Sequence, residues 1–250
     1  MTLNVEGLGF AYGGHIALRD VSFHAKDGRV LSVLGPNGVG KTTLLKCLNK
    51  IHTPNSGEVH LDDMDVLGLS LDDVARKIAY VAQSTENSRM SVFDSVLLGR
   101  KPHISWEATE KDLKVAEKVM RLLGLEDMAM RYTTELSGGE YQLVQIARAL
   151  AQQPKVILMD EPTSNLDISN QHSIMKLVRN IVIRNGMILI NTIHDLNLAA
   201  RYSDDLLMLK DGSVHCFGGL DVLTSESIYE VYGMYAYVED VKGFMTVVPR

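Results

Sequence analysis

The sequence predicts an α/β fold: a mixed, mostly parallel sheet with an antiparallel β part at the N-terminus and a helical subdomain inserted into the core. Three observations predict this fold. Two β-like runs, residues 3–12 and 16–24, flank the turn signal Gly13-Gly14. Elsewhere short apolar runs alternate with helical patterns, which is typical of parallel strands covered by helices on both faces. Between residues 91 and 151 the pattern is helical throughout.

Short apolar runs mark the remaining strands, and longer amphipathic patterns mark the helices. One helix is predicted directly after residue 43 and another over residues 168–184, and a turn is expected at residues 55–57. We expect one domain over residues 1–250, with the helical subdomain inserted at about residues 87–151. The predicted strands cover residues 29–34, 58–61, 78–81, 156–159, 187–192 and 205–210, and a terminal hairpin covers residues 236–248.

Composition and charge exclude several classes of protein. The chain has 250 residues, of which 46% are hydrophobic and 22% are charged, as in an ordinary globular protein. A formal net charge of -6 argues against a nucleic-acid partner, which would need a basic face. Cys47 and Cys216 lack the spacing of a disulfide framework or a metal site. Residues 1–10 lack the basic and apolar regions of a signal peptide, and no apolar stretch is long enough to cross a bilayer. We therefore expect any membrane role to require a partner.

A glycine-rich segment, residues 35–43, follows a predicted strand and precedes a predicted helix; we call it the phosphate loop. It contains the pattern G-x-x-x-x-G-K-[ST]. Glycines let backbone N–H groups point inward at phosphate, and the helix start directs its positive dipole end at the same anion. Lys41 supplies a positive charge for the β- and γ-phosphates, and the Thr42 hydroxyl is a ligand for Mg²⁺. The pattern predicts a P-loop NTPase core whose nucleotide-binding residues include Gly35, Asn37, Gly38, Gly40, Lys41, Thr42 and Thr43.

Two carboxylates, Asp160 and Glu161, follow the apolar strand predicted over residues 156–159. Open α/β sheets bind ligands at the carboxyl ends of their strands, so both side chains are expected beside the phosphate loop. Asp160 is expected to hold Mg²⁺ through water. Glu161 is expected to polarise the water that attacks the phosphate. Alone, the pair would be interpreted as a solvated strand end, but the upstream loop favours the catalytic interpretation.

A second motif, Leu-Ser-Gly-Gly-Glu at residues 136–140, precedes a helical stretch predicted over residues 141–151. Ser137, followed three residues later by a glutamate, is a capping box. Capping does not require Gly138 and Gly139, which expose backbone N–H groups able to hold a terminal phosphate. Our hypothesis is that this motif contacts ATP bound to a second copy of the chain.

These motifs, in this order, resemble the ATP-binding domain of ABC transporters over essentially the whole chain. Residues 136–140 match the signature motif of that family, which ordinary P-loop enzymes lack. The resemblance implies that Tyr12 stacks on adenine, and that Gln83 touches Mg²⁺ and senses a membrane partner. It also implies that His194 contacts the γ-phosphate. The expected metal-binding residues are thus Thr42, Gln83 and Asp160, and the expected catalytic residues are Glu161, His194 and Gln83.

The sequence departs from the family pattern at a few positions. Tyr141 and Leu143 stand where relatives often carry basic residues, and Asn165 replaces a common alanine in the D-loop, residues 164–167. None of these changes removes a group that binds phosphate or metal, so we expect them to affect dimer contacts rather than activity. The seven histidines other than His194 are expected to be structural.

One further segment narrows the type of transporter. Residues 94–103 resemble the ATPases of importers for iron-siderophore, haem and vitamin B12, and so does the tail, residues 232–249. In those ATPases a similar stretch lies next to the permease, although single side chains such as Arg100 are also typical of a solvated loop. The resemblance implies a homodimeric ATP hydrolase at the cytoplasmic face of the membrane. It would power uptake through separate permease subunits, fed by an extracytoplasmic substrate-binding protein.

Alternative functions stay open or are disfavoured at this point. Molybdate and tungstate importers share the architecture, so the cargo stays open between a metal chelate and an oxyanion. A soluble ABC ATPase acting on DNA or ribosomes is disfavoured, because the chain lacks a long coiled-coil insertion and a second cassette. A plain P-loop kinase or GTPase would leave residues 136–140 and His194 unexplained. An exporter half is disfavoured because exporters often fuse membrane spans to the ATPase, and no such span is predicted in this sequence.

Overall fold

The computed structural model describes residues 1–83, 89–164 and 166–250. The strands are β1 (Thr2–Tyr12), β2 (His15–Lys26), β3 (Val30–Leu34), β4 (Ser56–Leu61), β5 (Met64–Asp65), β6 (Ile78–Val81), β7 (Val156–Met159), β8 (Ile188–Thr192), β9 (Asp205–Lys210), β10 (Ser213–Gly218), β11 (Ala236–Val241) and β12 (Phe244–Pro249). The α-helices are α1 (Lys41–Leu48), α2 (Leu71–Ala75), α3 (Val92–Leu97), α4 (Glu110–Leu123), α5 (Gly138–Ala151), α6 (Ile168–Asn185), α7 (Leu196–Tyr202) and α8 (Ser225–Tyr232).

The N-terminal antiparallel sheet has the strand order β2-β1-β4-β5. Its first two strands turn at Gly13 and Gly14, whose φ angles are +52° and +97°, in the region that glycine adopts without steric cost. The predicted antiparallel β part is therefore confirmed. The turn expected at residues 55–57 is too long, because β4 already begins at Ser56.

The core sheet has the strand order β10-β9-β3-β8-β7-β6, in which β9, β3, β8, β7 and β6 run parallel and β10 is antiparallel to β9. Every residue of β3, β7 and β8 is buried, as expected for parallel strands with both faces covered. Because parallel strands end at the same edge, the segments after these three strands meet at one end of the sheet. The predicted α/β class is confirmed.

Residues 89–151 contain helices α3, α4 and α5 with short 3₁₀ turns between them. Ala116, Val119, Met120 and Leu123 form the buried stripe of α4, at the spacing of an amphipathic helix. This stripe belongs to the same apolar cluster as residues of β6 and β7. Helix α5 contacts β6, and α4 packs on α5. Residue 87 lies outside the described residues, and the bounds of the one domain and its insert stay a prediction.

Arg100 is buried, which corrects the view of it as a solvated or partner-facing side chain. It is 3% exposed, and its Nε donates to Asp112 Oδ1 at 3.0 Å. Its Nη1 donates to the carbonyl oxygen of Ala151 at 2.8 Å. A guanidinium removed from water needs such partners, so Arg100 ties the start of the helical segment to α4 and α5.

The C-terminal segment packs against the helix that follows His194. The predicted hairpin is present as β11 and β12, and Asn197 of α7 bonds to both backbone groups of Val247 in β12. Asn197 Nδ2 donates to the carbonyl of Val247 at 3.1 Å, and the N–H of Val247 donates to Asn197 Oδ1 at 2.7 Å. Among the helices of the described residues, none is both long and apolar enough to cross a bilayer.

Candidate functional site: a phosphate loop beside two carboxylates

The phosphate loop requires glycine at its first residue, Gly35, and directly before α1, at Gly40. Gly35 has φ +145°, and a Cβ there would lie 2.7 Å from the carbonyl oxygen of Leu209. Gly40 has φ +109°, and its Cβ would lie 2.6 Å from the carbonyl oxygen of Ala17. A side chain at either position would therefore meet backbone as well as a strained φ angle. The loop is fixed between β2 and β9, and its last three residues, 41–43, form the first turn of α1.

Lys41 is 6% exposed and lies inside the curve of the loop. Its Nζ donates to the carbonyl oxygens of Gly35 at 2.7 Å and Pro36 at 3.0 Å. Burial lowers the pKa of Lys41, while the nearby carboxylates of Glu161 and Asp160 act in the opposite direction. The ammonium group is thus poised between backbone acceptors and two acids, as a phosphate-binding lysine requires.

Asp160 follows β7 and is held by two hydroxyl groups. Thr192 Oγ1 donates to Asp160 Oδ1 at 2.8 Å, and the Tyr80 hydroxyl donates to Asp160 Oδ2 at 3.2 Å. Burial, with the neighbouring Asp160 charge, raises the pKa of Tyr80, so that its hydroxyl stays a donor. The carboxylate is 2% exposed and is fixed by neighbouring strands of the core sheet.

Glu161 contacts two other residues that the resemblance marks as catalytic. Its Oε1 is hydrogen-bonded to Nε2 of His194, and its Oε2 accepts a hydrogen bond from Nε2 of Gln83. The backbone N–H of Glu161 donates to Thr192 Oγ1 at 2.8 Å, and its φ angle is +47°. A non-glycine residue rarely adopts that conformation, so the chain turns sharply here to aim the side chain at its partners.

The phosphate loop and Glu161 line one cleft of about 200 Å³, which we call the phosphate cleft. It gathers most of the residues predicted to bind nucleotide, and it adds two that were not predicted, His15 and Ala17. Its lining residues are Tyr12, His15, Ala17, Asn37, Gly38, Gly40, Lys41, Thr42, Thr43 and Glu161.

The signature motif lies in a different cleft, of about 260 Å³, between α5 and α6; we call it the signature cleft. Ser137 and Gly139 line the signature cleft together with Asn170 and Leu143. Within the part of the chain that the structure describes, the lining of the phosphate cleft includes none of residues 136–140. One copy of the chain therefore presents the two motifs on separate surfaces.

The capping box at Ser137 is formed. The N–H of Ser137 donates to Glu140 Oε2 at 2.8 Å, and the N–H of Glu140 donates to Ser137 Oγ at 3.4 Å. Hydrogen bonds from the hydroxyl and N–H of Ser137, with a smaller effect of Arg131, lower the pKa of Glu140. Because Ser137 is the cap, α5 begins at Gly138, three residues before the predicted start. Of the D-loop, Asn165 lies outside the described residues.

Three residues beside the predicted site were missed by sequence reasoning. Thr192 ends the strand predicted over residues 187–192, and its place at the carboxyl end of a strand was the available signal. Tyr232 of α8 accepts a hydrogen bond from the N–H of Gly35 at 2.8 Å, and burial raises the pKa of its hydroxyl to about 12. No motif near Tyr232 or Gly35 predicts the contact between these two residues. The third residue, His52, was taken as structural but bonds to Tyr12 at 2.8 Å.

Comparison with known sequences gives one consistent result. A family model described as "ABC transporter" matches residues 18–164. The chain is 50% identical over 249 residues to an uncharacterized ABC transporter ATP-binding protein of Methanocaldococcus jannaschii, covering 100% of this chain and 98% of that protein. It is 40% identical to a cobalamin import ATP-binding protein of Halobacterium salinarum, over 100% of this chain and 64% of the relative. It is also 40% identical to a hemin import ATP-binding protein of Gloeobacter violaceus, over 94% of this chain and 89% of the relative.

Solved structures of ABC transporter proteins also match most of the chain. An ABC transporter of proposed metal-chelate type, in an inward-facing conformation, includes a chain that is 33% identical with a TM-score of 0.87. That match covers 100% of this chain and 97% of the other. A dimeric ATP-binding cassette in a post-hydrolysis state with ADP and Pi is 30% identical, with a TM-score of 0.76, over 87% of this chain and 98% of the other.

Proposed function

Because this chain belongs to the ABC transporter family as an ATP-binding protein, we propose that it hydrolyses ATP to drive import through a separate membrane permease. The observation that carries the proposal is the meeting of Lys41, Asp160, Glu161 and His194 beside one phosphate loop, in the arrangement that phosphoryl transfer needs. The chain would then act as a peripheral subunit at the cytoplasmic face of the membrane.

The residues present fit ATP with Mg²⁺. The Thr42 hydroxyl, the Asp160 carboxylate and the Gln83 amide oxygen are oxygen donors, which Mg²⁺ prefers. When bound, the metal would neutralise charge on the β- and γ-phosphates. Lys41 would move from its backbone acceptors to those phosphates, and Tyr12 would stack on the adenine.

Glu161 would orient the attacking water and accept its proton. Its two present partners, His194 and Gln83, would hold the carboxylate in the direction of the γ-phosphate. The His194 side chain is 40% exposed, and it would also contact the terminal phosphate. The positions of all three side chains are set by the ends of neighbouring parallel strands.

A complete site would require two copies of the chain. The signature cleft lies apart from the phosphate cleft, and Ser137 and Gly139 line it. Gly138 and Gly139 are the first two residues of the capped helix α5, where N–H groups would face a phosphate. Two chains arranged head to tail would place each ATP between the phosphate loop of one copy and the signature motif of the other. The dimeric cassette solved with ADP and Pi supports the pairing of two copies.

The cargo is proposed from the named relatives. Proteins named for hemin and cobalamin import are each 40% identical to this chain, and a transporter of proposed metal-chelate type is a structural match. We therefore assign a metal chelate as the cargo, delivered to the permease by an extracytoplasmic binding protein. The alternative within the same class is molybdate or tungstate.

The direct test of ATP binding uses two lysines of the same helix. Lys41→Ala should weaken ATP binding at least about 100-fold in isothermal titration calorimetry with Mg²⁺, because a buried charge–phosphate contact is lost. Lys46→Ala, a change of a partly exposed lysine in the last turn of α1, should bind ATP like the parental protein. Unchanged ATP affinity of Lys41→Ala would refute the site.

Purification from membranes tests the transport role. The tagged full chain should bring down a polytopic membrane protein, and that permease should carry the radiolabelled metal chelate into vesicles only with this subunit. Recovery of ribosomes or DNA instead would overturn the proposal. Uptake of labelled molybdate but not of a metal chelate would overturn the assigned cargo.

A further inference from the structure

Three aromatic rings meet at the end of β1, beside the phosphate cleft. Phe10 and His52 are stacked, with centroids 5.1 Å apart and an interplanar angle of 13°. Tyr12 lies edge-on to both of them, with its centroid 4.7 Å from that of Phe10 and 5.4 Å from that of His52. Tyr12 is 46% exposed and lines the phosphate cleft, so part of the ring is free to receive a ligand there.

The Tyr12 hydroxyl has two partners. Its oxygen lies 2.8 Å from Nε2 of His52 and 3.4 Å from Oγ1 of Thr43. A phenolic hydroxyl donates one hydrogen bond and accepts others, so both contacts coexist. The shorter contact, to His52, fixes the end of the Tyr12 side chain, while Thr43 belongs to the phosphate loop itself.

The segment that carries His52 is held at both sides. The N–H of His52 donates to the carbonyl of Lys46 in α1 at 3.0 Å. Farther along, the N–H of Asn55 donates to the carbonyl of Gly9 at 2.8 Å, and Asn55 Oδ1 accepts from the N–H of Ala11 at 2.8 Å. The imidazole therefore has a fixed place relative to both α1 and β1.

We propose that His52 is a positioning residue for the nucleotide base: it holds the Tyr12 ring in the orientation that stacks on adenine. A side chain that is already ordered loses less entropy when the ligand binds, and this pre-organisation appears as affinity. The inference rests on the proposed ATP site. It adds a specific claim, that His52 acts on the base and not on the phosphates.

The test compares two ligands, ATP and inorganic tripolyphosphate, in titration calorimetry with Mg²⁺. His52→Ala should bind ATP about threefold to tenfold more weakly, the loss expected when one hydrogen bond and its ordering effect are removed. Tripolyphosphate has no base, so its affinity should be unchanged. An equal loss for both ligands, or no loss for ATP, would overturn the proposal.

Two further substitutions separate the hydrogen bond from packing. His52→Phe keeps a ring to stack on Phe10 but cannot bond to Tyr12, and it should lose as much ATP affinity as the alanine variant. His52→Gln keeps a polar group near the hydroxyl and should recover affinity to within about twofold. Parental ATP binding by His52→Phe would overturn the role of the bond, even if His52→Ala failed to fold.

A double-mutant cycle shows whether His52 acts through Tyr12. Tyr12→Ala alone should weaken ATP binding, and the addition of His52→Ala should weaken it no further. Additive losses would overturn the proposal. His60→Ala is the matched control, since this histidine bonds to Glu58 at 3.1 Å on β4 and does not line the phosphate cleft, and it should bind ATP like the parental chain.

The failure of this inference is distinguishable from the failure of the ATP site. If Lys41→Ala abolishes ATP binding while the His52 variants bind ATP normally, the ATP site is supported and the positioning role of His52 is wrong. If Lys41→Ala binds ATP normally, the ATP site itself is wrong.

Discussion

Thr192 Oγ1 donates a hydrogen bond to Asp160 Oδ1 at 2.8 Å, across the ends of two neighbouring parallel strands. The same oxygen accepts the backbone N–H of Glu161 at 2.8 Å. The Thr192 hydroxyl therefore holds two groups of the proposed site. One is the Asp160 carboxylate, proposed to bind Mg²⁺, and the other is the backbone of Glu161, proposed to orient the attacking water. Thr192 is fully buried, so water does not compete for these bonds.

Thr192→Val keeps the shape of the side chain and removes the hydroxyl. We expect kcat for ATP hydrolysis to fall at least about tenfold, because Asp160 and Glu161 lose their shared support, while KM changes less. Thr192→Ser restores the hydroxyl and should recover most of the activity. Phosphate release assays at saturating ATP measure both variants, and parental turnover by Thr192→Val would contradict the assigned role.

Acid should destabilise the helical segment through Asp112. Hydrogen bonds from Thr109, with further contributions from Arg100, lower the pKa of Asp112 from 3.8 to about 2 in the folded chain. A lowered folded-state pKa stabilises the fold above the unfolded-state value of 3.8, and this contribution is lost as the pH falls toward about 2.

The check on Asp112 compares denaturant unfolding of the parental chain and Asp112→Asn between pH 7 and pH 2. The parental chain should be more stable at neutral pH, and its advantage should shrink between about pH 4 and pH 2 as the native carboxylate is protonated. A difference in the free energy of unfolding that stays constant over this range would contradict the prediction.

Two helices of equal length allow the structural and functional roles of the signature motif to be separated. Both α4 and α5 have 14 residues and begin with a capping box, at Thr109 and Ser137. Ser137→Ala and Thr109→Ala should each lower the free energy of unfolding by about 1 kcal/mol. Only Ser137→Ala should also weaken ATP-dependent dimer formation, measured by light scattering. If Ser137→Ala and Thr109→Ala weakened dimer formation equally, Ser137 would act only as a helix cap, which would contradict the prediction.

The core strands could be predicted closely from the sequence. The predicted bounds of three strands, Ile78–Val81, Val156–Met159 and Asp205–Lys210, agree with β6, β7 and β9 residue by residue. Parallel strands buried on both faces are continuous apolar runs with abrupt polar ends. The local sequence therefore marks where each of these strands begins and ends. The shorter elements α7, α8 and β10 were not predicted, because a few residues of mixed character carry little periodic signal.

The site could be predicted where a short sequence motif identifies both the residues and their chemical role. The phosphate loop and the residues after the core strands could be placed because strand ends converge. The contacts of Tyr232, Thr192 and His52 could not, because tertiary packing brings together residues that are distant in sequence. Arg100 was misjudged for a related reason: a charged side chain in a loop is usually solvated, and only its buried partner Asp112 shows otherwise.

The central claim is that ATP joins two copies of this chain through the phosphate loop of one and the signature motif of the other. The most direct measurement is the molar mass of Glu161→Gln by light scattering with Mg²⁺ and ATP. Glu161→Gln should bind ATP without hydrolysing it and run at twice the 27.7 kDa protomer mass, returning to the protomer mass without nucleotide. The double variant Lys41→Ala/Glu161→Gln should stay monomeric in both conditions. A Glu161→Gln protein that binds ATP yet remains a monomer at every protein and ATP concentration, with or without its permease, would contradict the account.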